Sequence, residues 1–591
     1  MAIERPRVNP PPGRLLPVVG LLYLLPSQTT LTSLADARCS RNHHHQDARH
    51  FPPPLAPLLF VPPCRIIRLP VSSAMIFPSS QTRVARPTPH RVPRDHLTRR
   101  HWWRRVGGLV AWLTWRTSRF STLSAPGATN DDTLFAPPTL AAYLDRLSAQ
   151  PGEQVSLHVS TTAERFDLEV ARLGQRVETV QTLTNLKGRA HPIPKDASSH
   201  GCRWPQTLSW TIPQDWRPGY YELRLRAQVK GSSQPATATA TAFLVVRAPG
   251  RGRPGVPLLV LATNTYNAYT NWGGYSLYAY NGKDGVQGRR VSFNRPLTSQ
   301  FATWEWPFVR WAEARGIELD YAVNSDLEFH PELLETTPLF LSVGHDEYWS
   351  KPMRDHLEDW LDRGGNAAFF SGNSVCWQVR SEEDGRALVC YKQAFKHDPV
   401  FASDDHATLS TLWSHHLVKR PENQLTGVGF QYGGYHRSHG QLMTFPGGYY
   451  VHRPDHWLFE GTGVEQGSLI GSKHTVVGYE CDGCDFVIDP ETALPVPTGR
   501  DSTPNTFEIL ASAPAIWHPD DCEWYDRWDK GRIGAAVLGV YRRATPDGGT
   551  VVTAGSTDWS HGLTLDKDGP DPVIERVTLN VFKRLGQRSS D

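Results

Sequence analysis

The sequence predicts two folded domains in series: an immunoglobulin-like β-sandwich over residues 126–250 and an α/β domain with a mostly parallel sheet over residues 251–588. Between about residues 140 and 248, short segments alternate polar and apolar residues and are separated by turn residues, which is typical of an antiparallel sandwich. After residue 256, continuous apolar runs alternate with amphipathic helical segments. That pattern indicates strands buried on both faces of a helix-covered sheet.

Residues 1–125 are predicted to be a disordered leader. The first 120 residues contain 18 Arg, no Lys and four acidic residues, a net charge of +14, whereas the remainder has 44 basic and 55 acidic residues, a net of −11. The leader is rich in proline and has no sustained periodicity, so it lacks the pattern of a packed core and is expected to be dispensable.

The same charge and hydropathy patterns limit the partners and the location of the protein. The acidic body has no basic stripe for nucleic acid, and no apolar run reaches the roughly 20 residues that span a bilayer. We therefore expect neither nucleic-acid binding nor membrane insertion, and a cytoplasmic protein. The run TRRHWWRR before an apolar segment leaves one alternative, export through a twin-arginine-like leader.

The sandwich is predicted from four quoted segments that follow one another along the chain. Each alternates polar and apolar residues or flanks a Pro-Gly turn. The segments are AQPGEQVSLHVST, FDLEVARLG, TLSWTIPQDWRPGYYELRLRAQV and ATATAFLVV, and RAPGRGRPG (247–255) then reads as a linker.

Five buried-type strands are predicted in the α/β domain, and each one ends in polar, aromatic or acidic residues. Helices are predicted between several of them, at 301–316 and 353–365. Ligands of open parallel sheets bind beyond the carboxyl ends of the strands, so these five ends predict a functional site. The strands are PLLVLAT (257–263), LDYAVN (319–324), LFLSVG (339–344), NAAFFSG (366–372) and VVTAGS (551–556).

The segment after the third strand, HDEYWS, contains the most closely spaced titratable and aromatic residues. His345 and Glu347 are two residues apart and are expected to share a site, whereas Asp346 is expected to cap the following helix. The five tyrosines of NTYNAYTNWGGYSLYAYNG either pack over a cleft, where they could bind sugar rings, or supply a phenolate ligand to a hard metal ion. Cys376 is expected to be a core cysteine, because it does not follow a strand directly on a tight elbow.

From about residue 140 onward the chain resembles the large subunit of N,N-dimethylformamidase and its relatives. Five segments carry the resemblance: RPGYYELRL (217–225), LLVLATNTYNAYTNWGGYSLY (258–278), VGHDEYWS (343–350), FFSGNSVCWQ (369–378) and VVGYECD (476–482). The resemblance implies a β-sandwich followed by a glutamine-amidotransferase-like α/β domain. It also implies hydrolysis of a small amide at a mononuclear Fe(III) ion held by two tyrosines and a glutamate.

The resemblance also assigns residues by position in these segments. The glutamate ligand is Glu347, and the tyrosine ligands are Tyr266 and Tyr221, with Tyr220 as the alternative to Tyr221. The remaining roles fall on three residues: His345 as a neighbour of the ligands or a proton-transfer group, Glu480 as the general base, and Asn373 beside the substrate.

The resemblance leaves the partner and the substrate open. The family's amidase works with a small subunit, so a small subunit or a homo-oligomer is the expected partner. The substrate is expected to be a small amide that need not be dimethylformamide. The residues alone leave a second function open, that of a non-catalytic carbohydrate- or polymer-binding protein that uses the aromatic loop.

Overall fold

A computed structural model describes residues 134–229, 236–436, 445–517 and 533–587. These residues fall within one unit, Leu123–Asp591. The leader predicted for residues 1–125 lies outside the described residues. In the part of the chain that the structure describes, no helix is long and apolar enough to cross a membrane.

The sandwich is built from ten strands and one short helix in the described residues. Alternation of inward and outward side chains is clear in β9, where Leu223 and Leu225 are buried while Arg224 points outward. The elements are β1 (Leu134–Phe135), β2 (Leu140–Leu144), β3 (Ser148–Ala149), β4 (Gln154–Thr161), β5 (Arg165–Leu173), β6 (Val177–Lys187), β7 (Ile193–Pro194), α1 (Ala197–His200), β8 (Leu208–Thr211), β9 (Gly219–Val229) and β10 (Ala236–Val246).

Two sheets enclose the core of the sandwich. One has the strand order β3-β10-β9-β5-β6 and the other β2-β4-β8, and β1 pairs separately with β7. All pairs are antiparallel except β3 with β10. Apolar residues of both sheets share one core, among them Leu144, Leu157, Leu168 and Leu223. The antiparallel sheets are therefore confirmed, and the immunoglobulin-like topology stays a prediction.

The α/β domain contains the remaining strands and helices. The strands are β11 (Leu258–Leu261), β12 (Arg290–Ser292), β13 (Asp320–Val323), β14 (Leu339–His345), β15 (Tyr348–Ser350), β16 (Asn366–Gly372), β17 (Trp377–Glu382), β18 (Ala387–Val389), β19 (Gly429–Tyr435), β20 (Tyr449–Val451), β21 (Leu469–Ile470), β22 (Glu480–Gly483), β23 (Phe486–Ile488), β24 (Pro495–Pro497), β25 (Glu508–Ile516), β26 (Ile533–Arg542) and β27 (Thr550–Thr553). The helices are α2 (Thr263–Tyr269), α3 (Glu305–Ala314), α4 (Asn324–Phe329), α5 (Lys351–Asp362), α6 (Asn423–Thr426) and α7 (Pro572–Leu585).

Among the described residues, eleven strands form the main sheet. Its order is β13-β11-β14-β16-β27-β26-β25-β19-β22, and β20 pairs with both β25 and β21. The five predicted strands correspond to the first five in this order, and they are all parallel. From β27 onward every pairing is antiparallel. The expectation of a mostly parallel sheet is thus wrong for the sheet as a whole. The amidotransferase-like topology stays a prediction.

The parallel strands read as continuous apolar runs because both of their faces are buried. Leu259 and Leu261 of β11 pack into the core on one face of the sheet. Leu258 and Val260 pack into the core on the other face. Since successive side chains of a strand point to opposite faces, the positions on both sides of such a strand are mostly apolar.

The sandwich packs directly against the α/β domain. The Tyr220 ring on β9 stacks on Phe301 with ring centroids 3.9 Å apart, and its hydroxyl donates to Ser299 at 2.9 Å. Arg172 of β5 forms a 2.6 Å ion pair with Glu313 of α3. The sandwich therefore supports the segment that leads into α3.

Candidate active site

Three strands of the main sheet bring the acidic residues of the site together. Strand β14 ends at His345, which pairs in register with Gly372, the last residue of β16. A side chain on Gly372 would clash with the backbone at Thr557 and Glu480. Because residue 372 is glycine, the start of β22 can approach closely, and Glu480 comes to lie beside His345.

His345 bridges two glutamates. Its Nε2 atom lies 2.7 Å from Glu480 Oε2 and 3.2 Å from Glu347 Oε2. All three side chains are almost completely buried, with exposures of 1% for His345, 1% for Glu347 and 3% for Glu480. A single imidazole thus connects two carboxylates in a site that bulk water hardly reaches.

The Tyr278 hydroxyl lies at the centre of a cluster of oxygen atoms. It donates to Glu347, whose two carboxylate oxygens are 2.8 and 3.0 Å away. The hydroxyl oxygens of Tyr269 and Tyr348 lie 2.7 and 2.8 Å from it. Four side-chain oxygens therefore surround one phenol oxygen within 3.0 Å.

Further contacts fix Glu347 in this cluster. Trp377 Nε1 donates to Glu347 Oε1 at 2.8 Å, and the backbone N–H of Glu347 donates to Thr265 Oγ1 at 3.0 Å. The ammonium of Lys392 lies 3.3 Å from the centroid of the Tyr278 ring and 4.8 Å from that of Trp377. Lys392 is 1% exposed, so its charge acts on the cluster with little screening.

The cations of the site determine how its acids ionise. Burial lowers the pKa of His345, but the adjacent Glu480 and Glu347 outweigh burial and raise it to about 10. Burial raises the pKa of Glu347, but His345 and Lys392 together hold it below its ordinary value. Burial raises the pKa of Glu480 above its ordinary value, although His345 opposes the shift.

Burial also keeps the tyrosines protonated and makes the lysine easier to deprotonate. It raises the pKa of Tyr269, Tyr278 and Tyr348 well above the ordinary value, and Glu347 adds to the shift. Burial lowers the pKa of Lys392 to about 8 against the attraction of Glu347. A metal ion that replaces the phenolic protons would offset the cost of deprotonation.

A buried arginine holds the loop that carries Tyr278. Arg295 is fully buried and donates to the carbonyl of Trp272 at 2.6 Å and to the carbonyl and side-chain oxygens of Asn267 at 3.2 and 3.0 Å. These contacts tie the end of helix α2 to the following loop. The positions of Tyr269 and Tyr278 thus depend on the same guanidinium.

The structure brings four of the predicted site residues together. His345, Glu347 and Glu480 form the bridge described above, and Asn373 joins it because its Nδ2 donates to Glu480 Oε2 at 3.2 Å. His345 and Glu347 are in contact, as expected from their spacing. Their functional roles stay predictions.

The structure does not bring the two predicted tyrosine ligands to Glu347. The Tyr266 hydroxyl donates to Glu305. The Tyr221 hydroxyl donates to the carbonyl of Arg217 at 2.7 Å, and its ring belongs to the sandwich core. The alternative, Tyr220, donates to Ser299. The expected contacts are corrected accordingly: Tyr269 and Tyr278 are the tyrosines of the aromatic segment that accompany Glu347.

Two neighbouring expectations have different outcomes. Asp346 does not cap α5; it accepts hydrogen bonds from Asn324 and Ser342 at 3.1 and 3.0 Å, and Ser350 is the cap. Cys376 is 1% exposed and packs in a hydrophobic cluster. Burial raises its pKa well above the ordinary value, so the expectation of a core cysteine is confirmed.

Sequence reasoning missed two kinds of residue at this site. The aromatic segment was singled out, but nothing in its pattern distinguishes Tyr269 and Tyr278 from the other tyrosines. Lys392 had no local signal, because it belongs to a 310 turn, Lys392–His397, far along the chain from HDEYWS. Its left-handed backbone, with φ of 52°, is unusual for a lysine and indicates a position fixed by its surroundings.

The donor chemistry of the cluster fits a hard metal ion. Phenolate and carboxylate oxygens are the ligands that such ions prefer, and two phenolates with one carboxylate would neutralise a trivalent ion. Within the described ranges, no group of three or more His, Cys, Asp or Glu side chains is arranged to hold a metal. Tyr269, Tyr278 and Glu347 supply phenol and carboxylate oxygens of this kind. Tyr348, whose hydroxyl also contacts Tyr278, is fully buried, whereas Tyr269 is partly exposed.

Comparisons with known proteins agree with these features. The N,N-dimethylformamidase beta subunit of an Alcaligenes species is 22% identical over 445 residues, which cover 65% of this chain and 54% of that protein. The protein of the same name from Paracoccus aminophilus is 22% identical over 447 residues, with the same coverage. The chain thus spans about half the length of these curated relatives.

The likeness to solved structures is weak. A protein of unknown function from Porphyromonas gingivalis W83 is 19% identical and covers 20% of this chain and 53% of its own, with a TM-score of 0.12. A likeness at that score supports no conclusion. By contrast, the sequence model described as "N,N-dimethylformamidase beta subunit-like, C-terminal" matches residues 160–571. The chain belongs to the N,N-dimethylformamidase beta subunit-like family.

Proposed function

We propose that this protein hydrolyses the C–N bond of a small amide, with a mononuclear ferric ion held by Tyr269, Tyr278 and Glu347. The observation that carries the proposal is the cluster of phenol and carboxylate oxygens around Tyr278. His345 connects this cluster, through Glu347, to a second buried carboxylate, that of Glu480. When bound, the ion would polarise the amide carbonyl and lower the pKa of water towards neutrality. The remaining steps belong to residues of the chain.

Glu480 is the proposed general base. Burial holds its pKa above the ordinary value of a glutamate, which brings it closer to neutral pH, where a general base is most effective. Glu480 takes a proton from the attacking water and returns it to the leaving nitrogen. Such proton transfer typically contributes roughly 10²–10⁴-fold to the rate.

His345 is the proposed link between the metal ligand and the base. Its Nε2 lies within hydrogen-bonding distance of both Glu480 and Glu347, so it sets the separation of the two carboxylates. Because both carboxylates raise its pKa to about 10, His345 is positively charged at neutral pH and stabilises them as anions. Its role is to position Glu480 and to balance charge.

Aromatic rings exclude water from the proposed reaction centre. The rings of Trp304, Tyr269 and Tyr479 lie edge-on to His345, with centroids 5.3, 5.4 and 5.9 Å away. Gly344, with φ of +86°, makes room for Trp304, because a side chain there would clash with it. Low local polarity strengthens the interactions among the charged groups.

We further propose that the protein works with a partner subunit. Two curated relatives are named as beta subunits, and a subunit name implies an assembly in those proteins. Size determination of the purified protein, alone and after isolation from its source cells, would reveal a second chain or a homo-oligomer.

The test of the proposed function is hydrolysis of simple formamides and acetamides by the iron-loaded protein. We expect amine release that disappears after iron removal by a chelator and returns when ferric iron is added back. A binding protein would release no amine in either state. Glu305→Gln serves as the matched control variant, because Glu305 is a buried glutamate bonded to a tyrosine outside the proposed site.

A further inference from the structure

Asp558 is a buried acidic residue that no step of the proposed reaction uses. It follows β27, the last of the five parallel strands along the chain, and is fully buried. Although it directly precedes a 310 turn, Trp559–Leu563, its side chain does not cap that turn. Its hydrogen bonds lead instead to two parts of the candidate active site.

The first of these bonds holds the indole of Trp304. Trp304 Nε1 donates to Asp558 Oδ1 at 2.9 Å. The Trp304 ring lies edge-on to His345, with centroids 5.3 Å apart, in the space that Gly344 leaves open. Because an indole nitrogen can only donate, the orientation of the ring depends on an acceptor at this point. Asp558 is that acceptor.

The second bond orients the hydroxyl of Thr557 towards the proposed general base. That hydroxyl donates to Asp558 Oδ1 at 2.9 Å and accepts from the backbone N–H of Glu480 at 3.3 Å. A hydroxyl has one hydrogen, so donating it to Asp558 leaves an oxygen lone pair for Glu480. The backbone N–H of Thr557 also donates to the Glu480 carbonyl at 3.1 Å. Asp558 therefore helps to fix the backbone from which Glu480 extends.

Asp558 itself is confined by its surroundings. A side chain on Gly478 would clash with its carboxyl group. Its backbone N–H donates to Ser556 Oγ at 3.3 Å, and its Oδ2 lies 3.6 Å from Nδ1 of His561. A group that positions others must be held in this way by packing and hydrogen bonds.

We infer that Asp558 is a positioning residue for the proposed amide hydrolysis, because one of its oxygens holds both the Trp304 ring beside His345 and, through Thr557, the backbone of Glu480. The inference rests on the proposed function. Asp558 acts through these neighbours and transfers no proton itself. A misplacement of reactive groups by about 1 Å can cost about 10²-fold in rate, so removal of this oxygen should lower kcat.

Two variants at residue 558 test the role of the oxygen. Asp558→Ala removes it, whereas Asp558→Asn keeps an oxygen that can accept both hydrogen bonds. In the iron-loaded full-length protein with a simple formamide, Asp558→Ala should lower kcat by roughly 10–100-fold, with iron content and KM little changed. Asp558→Asn should retain most of the activity. Full kcat in Asp558→Ala, or equal losses in the two variants, would overturn the inference.

Trp304→Phe shows whether Asp558 acts through the indole. This variant keeps an aromatic ring but removes the N–H donor. Asp558→Ala should cost a smaller factor in the Trp304→Phe background than in the unmodified protein, because one of its targets is already lost. Losses that simply multiply would overturn the inference. If Asp558→Ala does not fold, Trp304→Phe decides alone, and full kcat in that variant would contradict the inference.

A fluorine NMR measurement tests the contact without relying on catalysis. In protein labelled with fluorotryptophan, the Trp304 signal is the one that disappears in Trp304→Phe. It should move in Asp558→Ala and stay close to its original position in Asp558→Asn. An unchanged signal in Asp558→Ala, in a protein that hydrolyses amides, would overturn the inference alone. Absence of hydrolysis in the unmodified protein would remove the proposed function and, with it, the catalytic role of Asp558.

Discussion

The structure contains two buried tyrosine–glutamate pairs whose carboxyl groups ionise differently. Tyr266 donates to Glu305, and Tyr278 donates to Glu347. Both glutamates are 1% exposed, and the tyrosines are 1% and 6% exposed. By residue type and burial the two pairs are nearly the same, and the resemblance to a known family selected Tyr266 of the first pair with Glu347 of the second.

The surroundings distinguish the pairs. Glu347 has His345 at 3.2 Å and the ammonium of Lys392 beside its tyrosine, and these cations keep its pKa low. Glu305 is packed against Tyr266 in an aromatic environment, and burial raises its pKa to about 7. Neighbouring cations, rather than the presence of a tyrosine and a glutamate, keep one of the two carboxylates ionised, as a proposed metal ligand must be.

Of the changes considered, Glu347→Gln should have the largest effect, and Glu305→Gln is its matched control. Glu347→Gln removes the carboxylate charge from the proposed ligand set, so the protein should lose both its iron and its amide hydrolysis. Glu305→Gln should retain both. Metal analysis and amine release on the two variants make the comparison. Loss of iron in Glu305→Gln alone would reverse the assignment of the pairs.

A change at Glu480 should separate metal binding from catalysis within the Glu347 region. Glu480→Gln preserves the size of the side chain but cannot accept a proton. It should therefore keep its iron and lose roughly 10²–10⁴-fold in kcat. Iron content and amide-hydrolysis rates are measured on the same sample. If the rate equals that of the unmodified protein, the general base is another residue.

The smallest expected effect is a pH dependence of stability at the Glu305 pair. The folded-state pKa is about 7 and the ordinary value is 4.5, so the folded protein holds a proton that the unfolded chain releases between these values. The free energy of unfolding should fall by up to about 3 kcal/mol as pH rises through this window. Denaturant titrations should show that Glu305→Gln lacks this component. Identical profiles would contradict the assigned pKa.

Much of the fold could be predicted because the local patterns follow the burial of the strands. The β11, β14 and β16 strands read as apolar runs since cores lie on both faces of the sheet. The antiparallel half was missed because β19 and β22 are assembled from distant segments whose pairing no local pattern records. A register shift within that pairing further obscures its periodicity.

The site could be predicted in part for the same reason. His345, Glu347 and Asn373 lie at or just after the ends of predicted strands, where polar residues interrupt apolar runs. Glu480, the first residue of β22, was assigned by the resemblance alone. The tyrosines of the aromatic segment could not be ranked. Tyr266 and Tyr269 lie three residues apart on α2, yet one contacts Glu305 and the other Tyr278. Which of them meets Glu347 depends on the loop held by Arg295, a tertiary contact.

The most direct test of the central claim compares the visible absorption of two phenylalanine variants. A ferric ion bound by tyrosinate gives a charge-transfer colour, and the purified, iron-loaded protein should show it. Tyr266→Phe should keep both the band and the iron, whereas Tyr278→Phe should lose the band or shift it and bind iron less tightly. A colourless iron-loaded protein, or loss of the band in Tyr266→Phe with full retention in Tyr278→Phe, would contradict the proposed iron centre.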